Sequence, residues 1–270
     1  MARRWLHRLT TGALVALLLS SVPYVAVLRA ALATDLVSCW TMDAASGTDS
    51  VVASANDLTP TGVASAAAVV STGGDFEAGD ANDNMQRTDH ASLSGGDRDF
   101  TIAGWVNFET VATIQHLLSK FDATNGEYHM SLMPDGALYF KVYSAAAFGG
   151  TATTATWGSN ASGATNYYVM GGHNATANEI WVSVNGGTPV TAAHSAGVYD
   201  STAPFWFSNS SFSDEVDGVL DEWAFWSRDA RADRTALYNG GAGMSCAAII
   251  ADTGGAAAPC LRSLLGVGCE

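Results

Sequence analysis

Acidic residues account for most of the side chains that could do chemistry in this sequence. Glu215 and Asp217 are two positions apart, a spacing that would place both carboxylates on one face of a strand. Two carboxyl groups about 5–5.5 Å apart serve retaining glycoside hydrolysis. Loop aspartates suit a second chemistry, because Ca²⁺ prefers carboxylate and carbonyl oxygens. The residue types therefore permit glycoside hydrolysis and cation binding.

The histidines form no comparable pattern. None lies beside a Gly-x-Ser-x-Gly segment that would hold a nucleophile, so we expect no catalytic triad. We interpret them as surface or half-buried polar residues of a β domain. After residue 33 they are His90, His116, His129, His173 and His194.

The four cysteines contain no Cys-x-x-Cys spacing, which argues against a zinc or redox motif. Four cysteines can pair in three ways, and the sequence alone does not choose among them. Cys39 lies at the start of the first predicted strand, and Cys246 follows the last one. If those strands are neighbours, a Cys39–Cys246 bridge would close the domain, leaving Cys260 and Cys269 to close a small loop.

The first 33 residues have the features of an export signal. Three arginines within the first eight residues precede an apolar run over residues 12–28, and Ala-x-Ala follows at residues 31–33. We predict a signal peptide over residues 1–33, cleaved after Ala33, and hence a secreted or cell-surface protein. The alternative is an uncleaved anchor, and this segment would then be the membrane attachment.

The charge of the chain excludes one class of partner. The formal net charge is −14, and residues 1–33 carry four arginines and no acid, so the remainder carries −18. Such a chain repels phosphate backbones, and we expect no nucleic-acid partner.

Beyond residue 33 the sequence is typical of an all-β protein. Short runs rich in aromatic and β-branched residues alternate with Gly, Asn, Asp and Ser clusters, which predicts about ten to twelve strands. One short helix is predicted over residues 228–239, where Gly240 and Gly241 end it. We expect one domain over residues 34–246 and a small-residue tail over 247–270.

Several motifs follow one another in a particular order along that domain. The series resembles the laminin G-like modules of the concanavalin A-like lectin/glucanase superfamily over roughly residues 37–246. One segment departs from the usual family pattern, since Asn166–Gly172 lacks the histidines found there. The matching motifs are Cys39–Asp43, Asp99–Val106, Asp135–Phe140, Ile180–Gly186 and Asp217–Trp226.

The resemblance implies a two-sheet antiparallel jelly roll, a β-sandwich whose first and last strands lie side by side. It also implies a structural Ca²⁺ that ties the N-terminal segment to the penultimate strand. The matching positions are Asp43 and Asp221, with Asp57 or Asp75 as a further ligand.

The same resemblance bears on catalysis. Glucanases of the superfamily place a third acid two or three residues after the second, and this chain has Val219 and Leu220 there. We therefore predict that the protein is not an enzyme, with a glycoside hydrolase as the least favoured alternative.

One tryptophan is predicted to contact a ligand. Trp157 lies in a segment rich in Gly, Ser, Thr and Asn, whereas the other tryptophans mostly fall in predicted strands. The predicted function is a secreted, non-catalytic module that binds a carbohydrate or glycoconjugate. The alternative is a structural or adhesive domain without a small ligand, whose partner is an extracellular or surface protein.

Overall fold

Short segments of alternating apolar and polar residues form two antiparallel sheets that pack face to face. The computed structural model describes residues 31–51, 56–79, 83–122, 124–145, 151–158, 160–208 and 214–254. These ranges belong to one compact unit, residues 30–254.

The described strands are numbered in chain order, and most are four to nine residues long. They are β1 (Leu36–Trp40), β2 (Thr59–Thr61), β3 (Ala64–Ala67), β4 (Thr72–Phe76), β5 (Asn84–Arg87), β6 (Phe100–Phe108), β7 (Gln115–Phe121), β8 (Gly126–Leu132), β9 (Leu138–Tyr143), β10 (Ala152–Trp157), β11 (Asn166–Asn174), β12 (Glu179–Val184), β13 (Val190–Ala193), β14 (Phe205–Phe207) and β15 (Gly218–Trp226).

Strand order confirms the predicted jelly roll. The first sheet runs β13-β12-β11-β6-β15-β4-β3, with β1 paired to β15. The second sheet runs β10-β9-β8-β7-β14-β5-β2. All of these pairings are antiparallel, and the first and last strands of the chain are neighbours, as the resemblance implies.

The facing sides of the two sheets enclose the main core. Large aromatic side chains dominate it, and Phe100 stacks on Phe225 with ring centroids 5.8 Å apart. Gly104 on β6 makes room for the Trp223 indole of β15, because a Cβ at that position would lie 2.2 Å from the ring. The indole Nε1 also donates to the Trp105 carbonyl over 3.0 Å, which fixes the ring between the sheets.

The outer face of the first sheet is also covered. Two short helices, α1 (Arg234–Tyr238) and α2 (Cys246–Ala251), pack there with Trp105, Trp181 and Trp226 in a second apolar cluster. A disulfide joins Cys39 of β1 to Cys246 of α2, which confirms that predicted pairing. Cys260 and Cys269 lie outside the described residues.

The helical segments differ from the sequence-based expectation. The predicted helix over residues 228–239 is a 3₁₀ turn, Arg231–Asp233, followed by the single turn of α1. Helix α2 falls in the segment assigned to a tail, and the Ser245 hydroxyl caps it by accepting from the Ala248 N–H. Other 3₁₀ turns are Asp43–Ala45, Ala91–Leu93 and Asn239–Gly241. Among the described residues, no helix combines the length and apolar character needed to span a membrane.

The chain just before β1 contacts the second apolar cluster. Leu32 is fully buried, and its carbonyl accepts a hydrogen bond from Trp226 Nε1 over 2.7 Å. Cleavage after Ala33 would remove both contacts from the mature domain.

Candidate functional site

An irregularity in β15 lies next to Asp221, one of the two carboxylates that sequence analysis assigned to a cation. The pairing of β15 with β6 shifts register between Asp221 and Ala224, and Glu222 has a φ of 50°. Such a bulge adds a residue to one strand and re-aims the side chains beside it. Leu220 and Trp223 both belong to the main core, while Asp221 lines a small cleft with Val69, Trp105 and Asn166.

Asp221 has an unsatisfied carboxylate oxygen. The residue is 1% exposed, and its Oδ2 accepts the Val70 N–H over 2.8 Å. Its Oδ1 is buried and finds no hydrogen-bond partner within the described part of the chain. Asp43 is linked to the start of β4, because its Oδ1 accepts hydrogen bonds from the Thr72 N–H over 3.1 Å and from the Thr72 hydroxyl over 3.0 Å.

The electrostatics of this carboxylate pair, Asp43 and Asp221, are unfavourable without a counter-charge. Burial and, to a lesser degree, the charge of Asp43 together raise the pKa of Asp221 to about 7. Burial likewise raises the pKa of Glu222 to about 8, with added repulsion from Asp221 and Asp43. Two acids with one orphaned buried oxygen suit a hard cation that takes oxygen ligands. The residues present therefore fit Ca²⁺.

The two further candidate ligands have other contacts. Asp57 Oδ1 accepts the Asp49 N–H over 2.8 Å. Asp75 lies near Glu77 and Glu109, with one carboxylate oxygen from each residue within 4.8 Å of the others. The structure does not show either residue in contact with the carboxylate pair.

The outer face of the second sheet carries a row of polar and aromatic side chains. Each member of the row is next to a core residue on its own strand; for example, Met130 follows His129 and Phe205 precedes Trp206. Because successive side chains of a strand point to opposite faces of the sheet, the members of the row point outward. Strand pairing aligns the row across six strands in the order Thr154, Lys141, His129, Ser119, Trp206 and Gln86.

Two groups of this row lack a hydrogen-bond partner in the part of the chain that the structure describes. The buried Trp206 Nε1 and His129 Nε2 have no hydrogen-bond partner among the described residues. Ser119 separates them in the row, and two strand spacings of about 4.8 Å each place their backbones about 10 Å apart. Unsatisfied buried polar groups are costly in a folded protein, so each such group in a native structure calls for an explanation.

Aromatic rings surround His129. The Tyr143 ring lies 5.9 Å from the His129 ring in a near-parallel arrangement, and the Tyr139 ring lies 5.3 Å away edge-on. Lys141 Nζ lies 5.1 Å from the centroid of Tyr139. The face thus combines aromatic rings with hydrogen-bonding groups, as small polar ligands require.

A cluster of four polar side chains shares His129 with the row. This histidine cluster consists of His116, His129, Ser131 and Asp214. Burial lowers the pKa of His116 to about 4 and lowers that of His129 well below its usual value. Both rings are therefore neutral at pH 7. Sequence analysis placed these histidines at or near the surface, yet His116 is 6% and His129 3% exposed.

The remaining predicted site residues lie elsewhere. Trp157 is half-buried at the end of β10, where it packs on the main core and meets Tyr167 edge-on at 6.1 Å. It does not belong to the outer-face row, and its contact with a ligand stays a prediction. Asp217 accepts a hydrogen bond from the Thr110 hydroxyl, and Glu215 is buried.

Comparisons with known proteins bear on the fold. A laminin G-type family model, described as the Concanavalin A-like lectin/glucanases superfamily, matches residues 79–234. No curated protein sequence matches the chain significantly.

Solved structures with the same fold share little sequence. The binding domain of Paraclostridial Mosquitocidal Protein 1 is 16% identical with a TM-score of 0.60, covering 77% of this chain and 52% of its own. Domain 4 of AbnA, a GH43 extracellular arabinanase from Geobacillus stearothermophilus solved with arabinotriose, is 15% identical with a TM-score of 0.59, covering 76% and 98%.

A third similar structure is the binding domain of Botulinum Neurotoxin DC in complex with SialylT. It is 11% identical with a TM-score of 0.59, covering 77% of this chain and 52% of its own. The chain therefore spans about half the length of the toxin domains that it matches.

Proposed function

Because the chain belongs to the laminin G-like group of the concanavalin A-like lectin/glucanase superfamily, we propose that it is a non-catalytic module that binds carbohydrate. The proposed binding surface is the outer face of the second sheet. The observation that carries the proposal is the pair of unsatisfied groups in one row, Trp206 Nε1 and His129 Nε2. A sugar hydroxyl can satisfy both kinds of group, because it donates and accepts hydrogen bonds.

The surroundings of these groups support the same ligand class. Indole and phenol rings offer apolar faces with a polar edge, which suits the C–H faces of sugar rings. The outer face of the first sheet is covered by α1 and α2, which leaves the second sheet as the more open one among the described elements. Two proteins with this fold, AbnA domain 4 and the Botulinum Neurotoxin DC domain, were solved with arabinotriose and SialylT respectively.

Removing the Trp206 indole is expected to weaken carbohydrate binding. A glycan array in millimolar Ca²⁺ identifies the ligand, and calorimetry then compares the parent with Trp206→Ala. We expect at least a tenfold loss of affinity, about 1.4 kcal/mol, because the variant loses both a stacking surface and a donor.

Trp157→Ala is the informative comparison for that variant, since Trp157 lies off the row. Retained binding in Trp157→Ala with loss in Trp206→Ala supports this face. The reverse result would move the ligand to the end of β10. An array without any bound glycan would favour the alternative, a structural or adhesive domain.

We also propose that Ca²⁺ stabilises the domain. Asp43 and Asp221 would hold the ion, whose positive charge would offset the burial of the Asp221 carboxylate and its repulsion by Asp43. The unsatisfied Asp221 Oδ1 is the observation that supports this site. Ion binding there would join the segment before β2 to β15.

Removal of Ca²⁺ is expected to lower the melting temperature. At a free concentration 100 times Kd the ion contributes about 2.7 kcal/mol, which corresponds to roughly 5–10 °C for a domain of this size. Differential scanning fluorimetry with EDTA or with 2 mM Ca²⁺ measures the difference. Asp221→Asn should abolish the Ca²⁺ response without destabilising the EDTA-treated protein, because it removes one buried charge. An equal shift in Asp221→Asn would contradict the assignment.

Finally, we propose that the domain works outside the cell or at its surface. A disulfide is typical of proteins that fold in oxidising compartments, so the Cys39–Cys246 bridge supports export. N-terminal sequencing of the exported chain tests cleavage after Ala33.

A further inference from the structure

We propose that His116 and His129 form a binding site for a divalent transition-metal ion of the Zn²⁺ class, coordinated through their two Nδ1 atoms. The site lies on the outer face of the second sheet, where β7 and β8 pair. It is separate from the carboxylate pair, and it does not depend on carbohydrate binding.

The spacing of the two nitrogens carries the proposal. The Nδ1 atoms of His116 and His129 are 3.4 Å apart, and the ring centroids are 5.0 Å apart. Two imidazole ligands at the usual Zn–N distance of about 2.0–2.1 Å and a tetrahedral angle are separated by about 3.3–3.4 Å. The nitrogens therefore already have the separation that one shared ion requires.

The other ring nitrogens support coordination through Nδ1. His116 Nε2 lies 3.3 Å from Asp214 Oδ2, so the proton belongs on Nε2 and the Nδ1 lone pair is available. A carboxylate that accepts from the second nitrogen of a ligating histidine is the usual arrangement at metal sites. His129 Nε2, without a partner among the described residues, would carry its proton when Nδ1 binds the ion.

Ser131 supplies an oxygen at the same place. Its Oγ lies 2.6 Å from His116 Nδ1 and 3.3 Å from His129 Nδ1. The hydroxyl can rotate to act as a third ligand or to bind a coordinated water. Lys141 is the nearby positive charge, and its Nζ lies over the Tyr139 ring, 5.1 Å from the centroid. A site with two imidazoles and open positions suits Zn²⁺, Cu²⁺ or Ni²⁺ rather than Ca²⁺.

A second buried histidine pair provides a matched control. The rings of His173 and His194 are 5.6 Å apart, and three of their four nitrogens contact other groups of the protein. His173 Nδ1 contacts the Arg98 carbonyl at 2.8 Å. His194 Nδ1 contacts the Thr153 hydroxyl at 2.8 Å, and its Nε2 contacts the Gly197 carbonyl at 2.8 Å. A ring nitrogen that faces a carbonyl oxygen must carry its proton, so His173 Nδ1 and His194 Nε2 offer no lone pair to a metal ion.

The test is calorimetric titration of the untagged protein with Zn²⁺ in 2 mM Ca²⁺, which keeps the carboxylate pair occupied. We expect one Zn²⁺ per chain, with affinity reduced at least tenfold in His116→Gln and in His129→Gln. Asp214→Asn is expected to weaken binding about 10- to 100-fold through the orientation of His116. His194→Gln should bind like the parent.

A measurement on the parent protein keeps the proposal testable if a variant does not fold. One equivalent of Cu²⁺ should give an electron paramagnetic resonance spectrum with hyperfine coupling to two imidazole nitrogens. No saturable Zn²⁺ binding, a Cu²⁺ spectrum without imidazole nitrogens, or unchanged affinity in folded His116→Gln would each overturn the site. Carbohydrate binding that persists in metal-free protein would show that the proposed carbohydrate site does not require the ion bound by His116 and His129.

Discussion

Loss of the Cys39–Cys246 disulfide is expected to destabilise the domain by about 5 kcal/mol in the chain-entropy model. The bridge spans 207 positions of sequence, and the entropy that a cross-link removes from the unfolded chain grows with loop length. Both cysteines are fully buried, so Cys39→Ala/Cys246→Ala is the suitable variant, because serine would bury hydroxyls. Guanidinium unfolding followed by tryptophan fluorescence measures the change.

The control is Cys260→Ala/Cys269→Ala, which also loses two cysteines but keeps the bridge. Its free energy of unfolding should fall much less, because a link between cysteines so close in sequence removes less entropy from the unfolded chain. The variant without the bridge should also show a larger m-value, because its unfolded chain is less constrained and exposes more surface. Equal stability of the two double variants would show that the bridge contributes little.

The order of motifs along the sequence predicted the features that depend on the first and last strands lying side by side. A motif order typical of this superfamily places the first and last strands side by side, and the pairing of β1 with β15 confirms it. The same adjacency brings Cys39 within reach of Cys246. The sequence could not place α2, because a six-residue helix of small residues has little periodicity and is held by tertiary contacts.

The outer-face row could not be predicted from the sequence. Its members come from six strands, and a register shift of one residue in any strand would turn that strand's member inward. His116 and His129 are thirteen positions apart, and only the irregular pairing of β7 with β8 brings their nitrogens together. The burial of both rings is equally a tertiary property.

An ion pair beside this row holds the strands that carry the histidine cluster. Lys120 of β7 and Glu127 of β8 are both fully buried, and Nζ lies 2.7 Å from Glu127 Oε2. The ammonium also lies 2.8 Å from Asp89 Oδ1 and donates to the Ser201 carbonyl over 2.8 Å. Glu127 in turn accepts from the Gly95 N–H. The network is satisfied, so loss of one member leaves the others buried without compensation.

Lys120→Met is therefore expected to cost about 3–5 kcal/mol, because it leaves the Glu127 carboxylate buried without its cation. The double variant Lys120→Met/Glu127→Gln should recover part of that loss, since it removes the stranded charge. Urea unfolding of the parent, both single variants and the double variant gives the coupling energy. Additive losses, without recovery in the double variant, would contradict a coupled pair.

The pH dependence of the free energy of unfolding of Lys120→Met tests whether Glu127 is the acid left without its cation. Burial raises the pKa of Glu127 above that of an ordinary glutamate, while Lys120 lowers it, so removing the lysine raises it further. An acid whose pKa is raised in the folded state loses stability as the pH increases through that pKa. The deficit of Lys120→Met relative to the parent should thus be smaller at pH 5 than at pH 8. The variant with Glu127→Gln has no such acid, so its deficit should vary less with pH, and an equal dependence in both would implicate another group.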